Sequence, residues 1–216
     1  MVKTHCFDTA YAIKEYSTTR HLWDTPLFES ESFVAVPTVG ALVEGWLLVV
    51  PKVHALAFAH LPESLFGELE SFVSKVVINL QSHYGSVSLF EHGPATVGST
   101  VGCGVDYAHL HLVPTACDLQ SGAKLIAPEI HWSCLESLKA IRRCASAANG
   151  YWLLQEPYGT GRIHVGQCAG KQPSQLFRKV IANHIGSSAS FDWKTALGEE
   201  LISATVETLS EDLVVI

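Results

Sequence analysis

Two histidines one residue apart, His109 and His111, are the residues of this chain best placed to do chemistry. A neutral imidazole is a competent nucleophile near neutral pH, because its unperturbed pKa is about 6.5. In an extended strand, side chains alternate between the two faces. Tyr107 therefore joins the histidines on one face, while the apolar residues between them, Ala108 and Leu110, face a core.

The strand that carries this pair is predicted over residues 106–114. Pro114 lacks a backbone donor and tends to end a strand, which favours a place for the histidine face at a rim rather than deep inside a sheet. Taken alone, a His-x-His pair is more often a strand with two half-exposed histidines than a catalytic site. The choice between these interpretations depends on the neighbouring motifs.

Two upstream segments supply such motifs: Pro-Lys-Val-His at 51–54 and Glu-His-Gly-Pro at 91–94. Together with the His-x-His segment they resemble, in order, the motifs of the histidine triad superfamily, in which His-x-His-x-His is followed by two apolar residues. His111 then matches the third histidine and His109 the second. Tyr107 stands where the first histidine is expected.

The resemblance implies a reaction and a set of site residues. It makes His109 the nucleophile toward an α-phosphorus, and His111 the residue that binds phosphate and assists charge or proton balance at the leaving group. The predicted activity is hydrolysis or nucleotidyl transfer on a nucleoside phosphate derivative, such as a dinucleoside polyphosphate or a phosphoramidate, with no cofactor and no metal. The expected substrate-binding residues are Lys52, His54, Glu91, Gly93, Gly104 and Tyr107.

Two other interpretations stay open. The missing first histidine favours a nucleotide-binding module with little or no turnover. A metal site built from His109, His111 and His92 is weaker, since the segment at 51–54 has no place in it. A structural zinc at Cys6 is also disfavoured, because Thr9 stands where a second cysteine is expected.

Composition limits the class of protein. A chain of 216 residues with 48% hydrophobic content can bury a full core. The net charge of -7 and the total of only 14 Lys and Arg argue against binding to nucleic-acid duplexes, although a compact nucleotide site needs few donors. The start of the chain has no apolar signal region, and the six scattered cysteines are typical of reduced thiols. We therefore expect a cytoplasmic protein without a membrane span.

The predicted fold class is α+β, with a mostly antiparallel sheet and a packed helix in residues 1–118. A hairpin is expected from two apolar runs, 33–37 and 45–51. Apolar residues at helical spacing predict a helix over 62–84, followed by a strand at 86–91. A glycine-rich loop then leads into the histidine strand, where its backbone amides could approach a phosphate. By resemblance, the protein is expected to be a homodimer.

Residues 119–216 are predicted to form an α/β extension packed on the first part. The patterns indicate a helix over 133–148, a hairpin over 151–165, and helices starting near 173 and 197. Polar residues around the first of these last two helix starts, including Arg178, could bind an anion. An ordinary capped helix with a solvated arginine explains them equally well.

Overall fold

The computed structural model of the chain describes residues 21–102, 104–170 and 172–210. These residues form eight β-strands and four α-helices. The strands are β1 (Phe28–Glu29), β2 (Phe33–Pro37), β3 (Leu47–Pro51), β4 (Val87–Gly93), β5 (Leu110–Pro114), β6 (His131–Leu135), β7 (Tyr151–Gln155) and β8 (Ile163–Gln167), and the helices are α1 (Phe66–Tyr84), α2 (Leu119–Ile126), α3 (Leu176–His184) and α4 (Glu199–Ser210).

The eight strands belong to one antiparallel sheet, in the order β1-β2-β3-β5-β4-β7-β8-β6. The α+β class is confirmed, and the predicted hairpin is formed by β2 and β3. Strands from the second half of the chain extend the same sheet, because β7 pairs with β4 from Leu89↔Gln155 to Gly93↔Tyr151.

Helix α1 covers one face of this sheet. Its apolar residues recur at three- and four-residue steps, and they pack against the side chains that β3, β4 and β5 direct to the same side. The residues of this stripe with at most 2% exposure include Leu69, Phe72, Val76 and Leu80. The helix stops at Gly85, whose φ of 80° lies in the left-handed region that favours glycine.

The opposite face of the sheet lies under α2 and α3. Their buried residues form a second apolar cluster with residues of the sheet. In this cluster Phe177 of α3 lies with Phe90 of β4 and with Trp46, which precedes β3. The two helices approach each other closely at Gly122, where a Cβ atom would lie 2.3 Å from Cγ1 of Val180. The second half of the chain therefore covers the sheet face that carries the histidines of β5.

The predicted helix over 133–148 is wrong. Residues 131–135 instead form the edge strand β6, which pairs with β8 through Cys134↔His164 and Leu135↔Ile163. A short 3-10 helix, Leu138–Cys144, follows and buries Leu138 and Ile141, which belong to the expected apolar stripe. Pairing with a distant strand thus outweighs the local helical pattern, which depends on few apolar residues.

The other predicted elements of the second half are confirmed. Strands β7 and β8 form the hairpin, and α3 and α4 follow in the predicted places. The prediction for Cys6 falls outside the described residues. Within the described residues, no helix has the length and apolar content required to cross a bilayer.

Candidate active site

Strand β5 and the residues just before it have two different faces, as predicted. Ala108 and Leu110 lie in the core under α1, whereas the rings of His109 and His111 lie on the other face with centroids 5.0 Å apart. The regular strand begins only at Leu110, but the Ala108 amide donates to the Ala55 carbonyl at 2.7 Å and the side chains keep alternating.

The expected position at an open rim is wrong, since His109 and His111 are only 7% and 5% exposed. The reason is the cover provided by the second half of the chain, which the His-x-His pattern does not reveal. Burial in turn makes the charged form of each imidazole costly. Both rings are therefore held neutral near pH 7.

His109 has a defined proton arrangement. Its Nδ1 donates to the backbone carbonyl of Tyr107 at 2.7 Å, and a carbonyl can only accept. The neutral ring therefore carries its lone pair on Nε2. Burial lowers the pKa of His109, although the bond to the carbonyl of Tyr107 opposes this shift. The ring thus has the electronic form of a nitrogen nucleophile.

His111 has the opposite arrangement. The indole Nε1 of Trp46 donates to its Nδ1 at 3.1 Å, so the neutral ring carries its proton on Nε2. The imidazole also stacks on Phe90 with 4.3 Å between centroids. Burial lowers the pKa of His111 most, and the neighbouring His109, His92 and Arg178 lower it further. Beside His109 there is thus a neutral hydrogen-bond donor.

His92 lies close to this pair. Its ring centroid is 5.9 Å from that of His111, and its Nε2 accepts from the Phe177 amide at 3.4 Å. Burial, with smaller effects of the neighbouring His109 and Arg178, lowers the pKa of His92 to about 3. No group of three His, Cys, Asp or Glu in the described part of the chain has the arrangement of a metal site, which leaves the metal interpretation without structural support.

Arg178 places a buried cation on the histidine face. Its guanidinium lies 4.9 Å above the Trp46 ring, and Nε donates to the Phe191 carbonyl at 2.8 Å while Nη2 donates to the Gly40 carbonyl. The side chain is not solvated, as only 3% of Arg178 is exposed. Three neutral imidazoles beside one cation form a site whose charge favours an anion.

The Tyr107 side chain lies on the same face as the histidines, but its hydroxyl is engaged in a hydrogen bond. Its O–H donates to the Pro51 carbonyl at 2.9 Å, and its ring meets the His54 ring edge-on at 5.1 Å. The phenol at the place of the first histidine therefore holds the end of β3 in position. Through this contact, the exposed His54 is kept next to the histidine strand.

The structure does not bring Lys52 to the histidines. Its ammonium donates to the Ser30 carbonyl at 2.6 Å and pairs with Glu29 at 2.7 Å, which ties the end of β3 to the β1–β2 turn. Gly104 precedes the histidine strand with a φ of 80°, and a Cβ atom there would lie 3.3 Å from Nζ of Lys194. Cys103, beside it, lies outside the described residues.

Glu91 is also placed away from the histidines, on the face covered by α1. Its carboxyl accepts from the Phe58 amide at 2.8 Å and from the Tyr151 hydroxyl at 2.5 Å. Burial raises the pKa of Glu91 to about 7. Gly93 has a packing role there, because a Cβ atom would lie 2.2 Å from the Tyr151 ring. The expected substrate contacts of Glu91 and Gly93 are thus not available to a ligand on the histidine face.

Comparison with known proteins assigns the first part of the chain to a domain family. The family model of the HIT domain matches residues 21–117. The chain contains a HIT domain. The predicted membership of the histidine triad superfamily is therefore confirmed for residues 21–117. A search of curated proteins found no match. Members of this superfamily are generally nucleotide hydrolases or transferases, although some are non-catalytic.

Several solved structures are similar to the chain. A HIT-like protein has 23% identity and a TM-score of 0.36, with 42% of this chain and 85% of that chain covered. A hypothetical histidine triad nucleotide-binding protein from Sulfolobus tokodaii has 14% identity and a TM-score of 0.36, with coverage of 86% and 88%. A DUF4931 family protein from Bacillus cereus has 15% identity and a TM-score of 0.43, with coverage of 77% and 99%.

Two residues of this site are not singled out by the motifs. Trp46 begins an ordinary apolar run. The one feature that could have pointed to a role in the site is that a buried indole N–H needs an acceptor. Arg178 lies outside the HIT domain and was expected only near a helix start that could bind an anion. Their roles depend on long-range packing, which local patterns do not encode.

Proposed function

We propose that this protein is a nucleotide hydrolase or nucleotidyltransferase that cleaves at the α-phosphate of a nucleoside phosphate derivative through a nucleotidyl-histidine at His109. The bond from Nδ1 of His109 to the Tyr107 carbonyl carries this proposal, because it leaves the lone pair on Nε2. Because burial lowers the pKa of His109, its imidazole is in this reactive neutral form at neutral pH.

In the first step, Nε2 of His109 forms a bond to the α-phosphorus, and the bond from phosphorus to the leaving group breaks with its electron pair. In the second step, water adds its oxygen to phosphorus, the electron pair of the P–N bond returns to Nε2, and a water proton is released to solvent. Another acceptor in place of water gives transfer. The Nε2–H of His111 and the charge of Arg178 stabilise the phosphoryl oxygens in both steps.

The proposed site combines both parts of the chain. We assign residues 1–118 to the catalytic domain and 119–216 to an extension that supplies Arg178. Substrate contacts are proposed at Tyr107, His54 and Gly104, which lie at or beside the histidine strand. The expectations of a homodimer and of a cytoplasmic location stay predictions.

Turnover of a panel of nucleotide substrates tests the proposal. Adenylated and guanylated polyphosphates, aryl esters and phosphoramidates are incubated with the native chain, and released mononucleotide is quantified by chromatography. We expect His109→Ala to lower turnover by at least about 10³-fold, because the nucleophile is lost. The control is His131→Ala on the exposed edge strand β6, about 19 Å away by strand spacing. Full activity of His109→Ala would refute the mechanism.

A binding module is the alternative function, and two observations favour it. The Tyr107 hydroxyl is bound to the Pro51 carbonyl, and both histidines of β5 are buried under the second half of the chain. Calorimetric titration of nucleotides separates the two proposals. Binding without turnover of any member of the panel would support the module.

A further inference from the structure

We infer that Trp46 fixes His111 as a neutral hydrogen-bond donor that gives no proton to the leaving group, so that the enzyme favours phosphoanhydrides and acidic esters over phosphoramidates. This inference deepens the proposed function and rests on it. It makes Trp46 a positioning residue that determines the class of bond cleaved.

The contact between Trp46 and His111 has only one workable proton arrangement. An indole N–H donates and cannot accept, so Nδ1 of His111 must stay unprotonated while the 3.1 Å bond exists. An imidazolium at this position would point its Nδ1–H at the indole N–H. Protonation of His111 therefore requires loss of this hydrogen bond.

Packing prevents the indole from turning away. Trp46 is 1% exposed, and its ring lies under the guanidinium of Arg178 at 4.9 Å. The edge of the indole meets Phe90 at 6.0 Å between centroids. A rotated indole would lose the cation–π contact and the packing at once, which makes the donor position part of the fold.

The other acidic groups at the motifs are bonded elsewhere. The Tyr107 hydroxyl donates to the Pro51 carbonyl, and Glu91 lies on the opposite face of the sheet with the Tyr151 hydroxyl. His92 accepts from the Phe177 amide in an environment that opposes its protonation. Neither the first-histidine position nor the motif carboxyl is therefore arranged as a general acid for His109.

Without a general acid, the rate of cleavage depends on how stable the leaving group is as an anion. When Nε2 of His109 bonds to phosphorus, the leaving oxygen of a phosphoanhydride or acidic ester departs with the electron pair and needs no proton. The leaving nitrogen of a phosphoramidate departs only after it has been protonated. A positioned general acid contributes about 10²–10⁴-fold, so its absence slows poor leaving groups by about 100-fold or more.

The first test reads the tautomer of His111 without any substrate. Long-range ¹H–¹⁵N correlation spectra of the labelled full chain distinguish Nδ1–H from Nε2–H imidazoles. We expect Nε2–H for His111 in the native chain down to pH 5, and a change of tautomer or onset of protonation in Trp46→Phe. Trp132→Phe is the matched control, because the buried Trp132 Nε1 has no hydrogen-bond partner among the described residues. An Nδ1–H ring in the native chain would overturn the inference.

The second test measures kcat/KM for aryl nucleotide esters whose phenols differ in acidity, together with one phosphoramidate. In the native chain we expect kcat/KM to fall steeply as the phenol pKa rises. In Trp46→Phe we expect kcat/KM for the poorest leaving groups to rise at least about 10-fold relative to kcat/KM for the most acidic ester. If kcat/KM fell equally steeply with phenol pKa in both proteins, the inference would be overturned and the proposed function would stand. No turnover of even the most acidic ester would instead refute the proposed function, and the spectra would still decide the role of Trp46.

Discussion

The two faces of strands β4 and β5 bury ionisable groups in different ways. On one face, His109, His111 and His92 are kept neutral, with Arg178 as the neighbouring cation. On the other face, Glu91 stands among apolar side chains and is satisfied by one amide and one hydroxyl. The first face has the groups and proton arrangement for chemistry. The second shows that a motif residue can serve packing instead.

The largest expected effect concerns the stability of the Glu91 face. Glu91→Ala removes the acceptor of the Phe58 amide and the Tyr151 hydroxyl, and two buried donors without partners cost about 4 kcal/mol of the free energy of unfolding. Urea unfolding measures this loss. The turnover of the remaining folded protein should stay unchanged, and a loss of kcat without a loss of stability would place Glu91 in the reaction.

The next effect concerns the cation of the histidine face. Arg178→Met should lower kcat/KM by about 100-fold, because a positive charge beside the phosphoryl oxygens is lost. Arg178→Lys should restore part of kcat, which a purely structural role would not explain. The exposed Arg162→Met is the control. Equal kcat/KM in Arg178→Met and the native chain would show that Arg178 only supports the fold.

The two faces should also respond to acid in opposite directions. The lowered pKa values of the three histidines give stability that is present above pH 6.5 and is lost as the pH falls. The raised pKa of Glu91, about 7 against 4.5, gives stability that is complete below pH 4.5 and is lost as the pH rises through 7.

Glu91→Gln separates these contributions. Between pH 8 and pH 5 the variant should lose about 2 kcal/mol more unfolding free energy than the native chain, because only the native chain gains from protonation of Glu91. Urea titrations at several pH values measure the difference. Parallel pH profiles for the two proteins would show that the pKa of Glu91 is not raised by burial.

The smallest effect concerns Gly93 on the Glu91 face. Gly93→Ala should cost about 2 kcal/mol, because the new methyl group would overlap the Tyr151 ring. Gly67→Ala in the exposed part of α1, where nothing lies within 4 Å of a Cβ atom, should gain about 1 kcal/mol. Thermal unfolding compares the pair. Equal melting temperatures would contradict the assigned packing role of Gly93.

Only some features of the two faces can be predicted from the sequence. Alternation places Glu91 and His92 on opposite faces, but which of them joins His111 depends on the register Phe90↔His111, which pairs distant segments. The hairpin, α1 and the two-faced histidine strand follow from local periodicity. The bond from Trp46 to His111 does not, because it depends on the pairing of the distant strands β3 and β5. The burial of Arg178 does not either, because it arises only when the second half of the chain packs on the sheet.

Detection of the covalent intermediate tests the central claim most directly. Intact-protein mass spectra are recorded without acid after brief incubation with adenylated and guanylated substrates, for the native chain, His109→Ala and the control His131→Ala. We predict an added mass of one nucleotidyl group on the native chain and the control, and none on His109→Ala. An adduct that persists in His109→Ala, or the absence of both adduct and product from the native chain, would contradict catalysis by His109.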